Sequence, residues 1–129
     1  MDSVFSELYR RALKAAVPRA LTGYAQAGEV GAAILTKSGS IYTGVCLDTA
    51  CSMGFCAEQA AAAAMLTAGE NEISRLVAVN SAGRILPPCG RCREFLTQLS
   101  PRAAEALVMV DSDTVLRLGD LLPCDWKQE

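Results

Sequence analysis

Apolar residues recur at helical spacing near the start of the chain. Phe5, Leu8, Ala12 and Ala15 share one face while Arg10, Arg11 and Lys14 lie off it. This pattern predicts an amphipathic helix from about residue 3 until Pro18. Residues 30–35 (VGAAIL) and 41–47 (IYTGVCL) flank the turn-like Lys37-Ser38-Gly39-Ser40 and predict a hairpin. The first of these strands is apolar on both faces, which places it centrally in a covered sheet. The run Ala60 to Ala64, followed by Met65 and Leu66, predicts a helix from residue 56 to about 68, closed by Gly69. Beyond it come a strand at 76–79, a loop ending in Pro87-Pro88 and a helix from about 90 to 99. A strand at 106–110, a short strand at 115–116 and a turn at 118–122 follow. A hairpin followed by alternating strands and helices describes an α/β fold, a mixed five-stranded sheet between helix layers. No repeat or linker divides the chain, so one domain over 1–129 is expected.

Composition narrows the chemistry. Of 129 residues 51% are hydrophobic, and 12 Lys and Arg against 14 Asp and Glu leave a net charge of -2. This excludes a disordered tail and a polycation, and Arg91 and Arg93 do not amount to a nucleic-acid surface. The chain has no histidine, which removes Ser-His-Asp triads, H-E-x-x-H zinc sites and any imidazole base. It has six cysteines: Cys46, Cys51, Cys56, Cys89, Cys92 and Cys124. Charges interrupt residues 1–24, so no leader or membrane span is expected there, and a cytoplasmic protein with reduced thiols is. In that setting clustered cysteines point to metal or catalysis.

The informative segments are Cys56-Ala57-Glu58 and Pro88-Cys89-Gly90-Arg91-Cys92, each where a loop enters a helix. If the two helix starts converge, Cys56, Cys89 and Cys92 hold one Zn2+ and leave its fourth position to water. Helix N-termini favour thiolates. Three thiolates leave a formal charge of -1 on the site, and the Arg91 guanidinium is expected to hydrogen-bond one or two of the sulfurs. Residues two apart in a helix point about 200° apart, so Cys56 must occupy the non-helical cap if Glu58 is to face the same metal. Glu58 then serves as the proton shuttle, its pKa raised by the nearby thiolates.

These segments are the signature of zinc-dependent nucleobase deaminases. With Gly31-Ala32-Ala33, Ile41-Tyr42-Thr43-Gly44-Val45, Arg93 and Leu121-Leu122-Pro123 in matching order, residues 30 to 126 resemble the cytidine deaminase superfamily. The resemblance implies a three-layer α/β/α sandwich, one catalytic zinc per subunit held by Cys56, Cys89 and Cys92, and Glu58 as shuttle. It also implies hydrolysis of an aromatic amine to a carbonyl with ammonia release, commonly by a homotetramer. The alanine-rich helix has a smooth face suited to contact with a neighbouring subunit, so a homo-oligomer, tetramer or dimer, is expected.

Several positions depart from the family pattern. Where cytidine deaminases hold ribose hydroxyls with Asn and Glu, this chain has Cys46 and Asp48. Ala27, Gly28 and Glu29 stand where an aromatic residue faces the base, and Gln59 replaces an Arg that often follows Cys-Ala-Glu. Together with Arg84-Ile85-Leu86, Arg91 and the tail ending in Trp126, these features resemble the blasticidin-S deaminase branch. The expected substrate is a small nucleoside: cytidine, deoxycytidine or a blasticidin S-like analogue. Backbone groups near Ala57 and Cys89 hold the ring in this reading, Asp48 serves as hydroxyl acceptor or loop cap, and Trp126 closes over the substrate or anchors the tail between subunits. Three other readings stand beside it: a closed zinc site with Cys51 as fourth ligand, a redox Cys-Gly-Arg-Cys pair, and a non-catalytic zinc-stabilised module binding a nucleoside or protein.

Overall fold

The computed structural model describes residues 1–127. Helix α1 (Ser3–Ala15) begins at Asp2, whose carboxylate accepts the Phe5 N–H at 2.8 Å, and it buries Phe5, Leu8 and Ala12. Strands β1 (Arg19–Thr22), β2 (Ala25–Thr36) and β3 (Ile41–Thr49) follow, then helix α2 (Ala57–Thr67), β4 (Ile73–Asn80), helix α3 (Gly90–Thr97), β5 (Leu107–Asp111) and β6 (Thr114–Arg117). A short 3-10 turn over Leu118–Leu121 comes next. Gly69, at a φ of 90°, sits just beyond the end of α2, the left-handed stop the sequence predicts.

The described residues form a sheet of six strands, one more than the pattern predicts. The extra strand, β1, is exposed at all four positions, so it carries no apolar alternation to be read. β3 runs along one edge of β2. β4 pairs with the C-terminal part of the other edge and β1 with its N-terminal part. β4 and β5 are parallel, and β6 returns antiparallel to β5.

The alternation of β2 and β4 divides the core in two. Ala33, Val77 and Val79 face α1 and pack with Phe5, Leu8, Ala12 and Met109. Ala32, Ile34, Leu76 and Ala78 face the opposite layer, with Ala61, Ala62 and Met65 of α2 and Cys92 and Leu96 of α3. The result is a three-layer α/β/α sandwich with both faces of its sheet covered. The alanine-rich helix uses its small side chains first within the chain, since a Cβ on Gly44 of β3 would overlap the Ala60 and Ala61 backbone. No helix among the described residues is long and apolar enough to cross a membrane.

Candidate active site

Two chain crossings bring the cysteines together. After β3, Gly54 lies so close to the Leu47 carbonyl that a Cβ would overlap it. Phe55 then exchanges both main-chain hydrogen bonds with Leu47, at 2.9 and 3.0 Å. The next residue, Cys56, is the extended N-cap of α2 with φ -78° and ψ 156°, the cap that its spacing from Glu58 requires. After β4 the chain folds back on that strand, Leu86 N–H donating to the Ala78 carbonyl at 2.9 Å, and delivers Cys89 as the extended N-cap of α3. The sulfurs of the two cap residues face one another across the gap between the two helix starts.

Cys56 and Cys89 Sγ lie 3.6 Å apart, and the sulfurs of Cys56, Cys89 and Cys92 are all within 4.8 Å of one another. Two sulfurs each about 2.3 Å from a tetrahedral zinc are about 3.8 Å apart, so this donor set fits Zn2+. All six cysteines are free thiols. Cys51 is exposed and stands outside the cluster, so it does not close the site as a fourth ligand.

The three thiols are not equivalent. Burial pushes Cys56 and Cys92 above the ordinary thiol value, and the Glu58 charge adds to the rise at Cys92. Burial alone would also raise Cys89, but bonds from the backbone N–H groups of Cys92 and Arg91 and from the neighbouring thiols bring it below. The lowering expected of helix-start cysteines therefore holds for Cys89 alone.

Glu58 is only 5% exposed and lies outside the sulfur cluster. Its carboxyl is raised above the ordinary value by burial, rather than by the thiolates that sequence reasoning invoked. Glu58, Cys56 and Cys89 line a cavity of about 490 Å3. Cys46, Asp48 and Ala57 line it too, but Cys46 Sγ is already engaged by the Val30 N–H at 3.3 Å.

Two expectations are corrected. Arg91 is exposed and lines the cavity, yet its guanidinium makes no hydrogen bond to sulfur among the described residues. It follows Gly90 in the first turn of α3, about 100° round the helix from Cys92. The side-chain donor near sulfur is Gln59, whose Nε2 lies 3.9 Å from Cys92 Sγ. Trp126, 71% exposed, does not line the cavity; its Nε1 donates to Glu94 at 2.8 Å, and Lys127 sits over its ring.

Glu29 and Thr49 were not among the predicted site residues. β2 and β3 keep register at Ala27↔Leu47 and regain it at Gly31↔Val45, so β2 bulges between. Gly28 takes a φ of 92° there, and Glu29, within the bulge, lines the cavity, with Ser81 Oγ 3.1 Å from its carboxylate. Thr49 Oγ1, on the same wall, is buried with no partner among the described residues. The strand read from the sequence starts at Val30, and β2 in fact begins at Ala25, so the bulge at Gly28 and Glu29 lies in the part that reading left out.

Comparison with known proteins agrees with this geometry. Residues 6–109 match the family model described as "Cytidine and deoxycytidylate deaminase zinc-binding region". The chain belongs to this deaminase family. The deaminase is 35% identical over 95 residues to cytidine deaminase of Mycobacterium tuberculosis, covering 73% of this chain and 69% of that one. It is 28% identical over 103 residues to blasticidin-S deaminase of Bacillus cereus, covering 73% and 74%. The crystal structure of the Mycobacterium tuberculosis cytidine deaminase superposes with a TM-score of 0.82 at 31% identity, covering 98% of this chain and all of that one (100%).

Proposed function

We propose that this deaminase hydrolyses the exocyclic amine of a cytosine nucleoside or a close analogue, releasing ammonia and leaving the uracil form. Cytidine, deoxycytidine and blasticidin S-like compounds are the substrates in view. The observation that carries the reading is Glu58, a buried carboxyl lining the same cavity as Cys56 and Cys89.

Cys56, Cys89 and Cys92 are the residues that would hold zinc, which when bound supplies a Lewis acid that activates water. Glu58 is the group that moves the protons, from the attacking water to the departing nitrogen, so that water and the amine are exchanged for a carbonyl and ammonia. Its raised pKa suits a group that must carry a proton in one half of the cycle and release it in the other. The first-turn backbone of α2 at Ala57, with Cys89, holds the ring. Asp48 accepts a sugar hydroxyl, while Cys46, its sulfur turned to Val30, contributes shape rather than a donor pair.

Charge favours a nucleoside over a nucleotide. The cavity wall carries Glu29, Asp48 and Glu58 against Arg91, so a phosphate would meet more repulsion than attraction. A homo-oligomer is part of the same proposal, supported by the exposed Ala63, Ala64 and Leu66 on α2.

The test is ammonia release across cytidine, deoxycytidine, blasticidin S and their 5'-phosphates, by wild type and Glu58→Ala. Turnover of at least one nucleoside, lost in a variant that still binds zinc, is expected. Unchanged turnover in the variant overturns the role of Glu58. Zinc and nucleoside binding with no ammonia from any substrate leaves a binding module instead.

A further inference from the structure

The peptide groups on both sides of Cys56 are tied to main chain. The Phe55 carbonyl accepts the Leu47 N–H at 3.0 Å, and the Cys56 carbonyl accepts the Ala60 N–H at 3.2 Å. With both flanking peptides fixed, the Cα–Cβ direction of the cysteine is fixed as well, and its sulfur keeps only one soft torsion. Cys89 has the helical half of this arrangement, since its carbonyl accepts the Arg93 N–H at 3.0 Å. The strand half is missing, because the loop before α3 has no counterpart of Leu47 beside Pro88. The Pro88 carbonyl is met by a side chain instead: Arg93 Nε donates to it at 2.8 Å, and Nη1 of the same guanidinium donates to the Leu121 carbonyl at 3.1 Å.

We propose that Arg93 is a positioning residue for the metal site, gripping the peptides before and after Cys89 and braced by the turn at Leu118–Leu121. A single residue does for Cys89 what β3 and α2 together do for Cys56. The planar guanidinium is suited to this, because it presents two donors in a fixed fork to two carbonyls that no backbone amide serves among the described residues. Pro88 is buried, and the peptide that joins it to Cys89 is held through the Pro88 carbonyl by this guanidinium. The inference rests on the reading that Cys89 and Cys92 hold zinc. It adds that the C-terminal turn, 32 residues after Cys89 at Leu121, belongs to the scaffold of that site.

The test measures zinc affinity of wild type, Arg93→Ala and Arg93→Lys by competition with a chromophoric chelator, and the thiolate-to-metal absorption of the same chains loaded with Co2+. Loss of a partner that orients a ligand lowers metal affinity by about 10–100-fold. That loss is expected in Arg93→Ala, with weaker thiolate-to-cobalt absorption as Cys89 drifts from the site, and with ethylguanidinium restoring both. Arg93→Lys, which keeps the charge but has no fork, is expected to lose affinity as well. Affinity within about threefold of wild type in either variant overturns the proposal, as does a loss in Arg93→Ala that ethylguanidinium leaves unrepaired. If Arg93→Ala does not fold, Arg93→Lys decides by the same criterion. A wild-type chain that binds no zinc fails at the earlier step, the assignment of the ligands.

Discussion

Cys56 Sγ and Cys89 Sγ stand 3.6 Å apart across 33 positions of sequence, each on the cap of a different helix. Their meeting makes the zinc site a property of two loops, one held to β3 and one held to β4. Removing a ligand should therefore abolish metal binding without unmaking the sheet. Wild type is expected to hold about one zinc per chain and Cys56→Ser or Cys89→Ser close to none. Cys51→Ser, outside the cluster, should match wild type. Metal analysis after gel filtration checks all three.

Glu58→Gln keeps the size and burial of the side chain but cannot carry the proton. Its kcat should fall by roughly 10²–10⁴-fold while zinc content stays at the wild-type level. Steady-state ammonia release with metal analysis on the same sample separates the two effects.

Gln59 lies 3.9 Å from Cys92 Sγ, the position in which a neutral amide stands near a buried thiol. Replacing it by Leu removes the donor at similar volume. Zinc affinity should fall by about tenfold, near the lower end for a partner of a metal ligand, with little change in the urea midpoint. An affinity equal to wild type would show that the contact is incidental.

If Asp48 accepts a sugar hydroxyl, Asp48→Asn should weaken kcat/KM for cytidine by about ten- to a hundredfold, the range for a hydrogen bond to a charged group. The same variant should barely change kcat/KM for 2',3'-dideoxycytidine. Equal losses on both substrates would assign Asp48 to the loop rather than to the sugar.

Glu70 ties the β2–β3 turn to the end of α2 by accepting from Ser38 Oγ and, at 2.6 Å, from Tyr42 OH. Hydrogen bonds from Ser38 and then Tyr42 lower its carboxyl from 4.5 to about 2. A depressed folded pKa means stability that is present above 4.5 and lost as pH falls toward 2. Urea midpoints at pH 7, 4 and 3 should therefore decline more steeply in wild type than in Glu70→Gln. Parallel declines would contradict the linkage.

Met65 is fully buried between α2 and the sheet, and Met65→Ala is expected to cost about 2–5 kcal/mol in urea unfolding. Gly44→Val should also destabilise, because even its Cβ meets the α2 backbone, and backbone yields less readily than a side chain. A wild-type midpoint in Gly44→Val would mean that α2 packs farther from β3.

The sequence by itself determined whatever depends on neighbours along the chain. The apolar stripe of α1, the alanine run of α2, the stop at Gly69 and the cap position of Cys56 follow from local spacing and propensity. The choice of three cysteines and Glu58 followed from which side chains can ligate zinc or move a proton when histidine is absent. Only the tertiary structure decided which groups surround those residues. The rotation of α2 and α3 about their axes put Gln59 near sulfur and left Arg91 exposed. The path of the tail took Trp126 to Glu94 and brought the Leu121 carbonyl to Arg93. A bulge in β2 turned Glu29 toward the cavity, and β1, with no buried face, joined the sheet through backbone bonds alone. Periodicity reports which residues share a face; it carries no information on how far two faces turn or slide before they meet, and those displacements set every contact around the sulfurs.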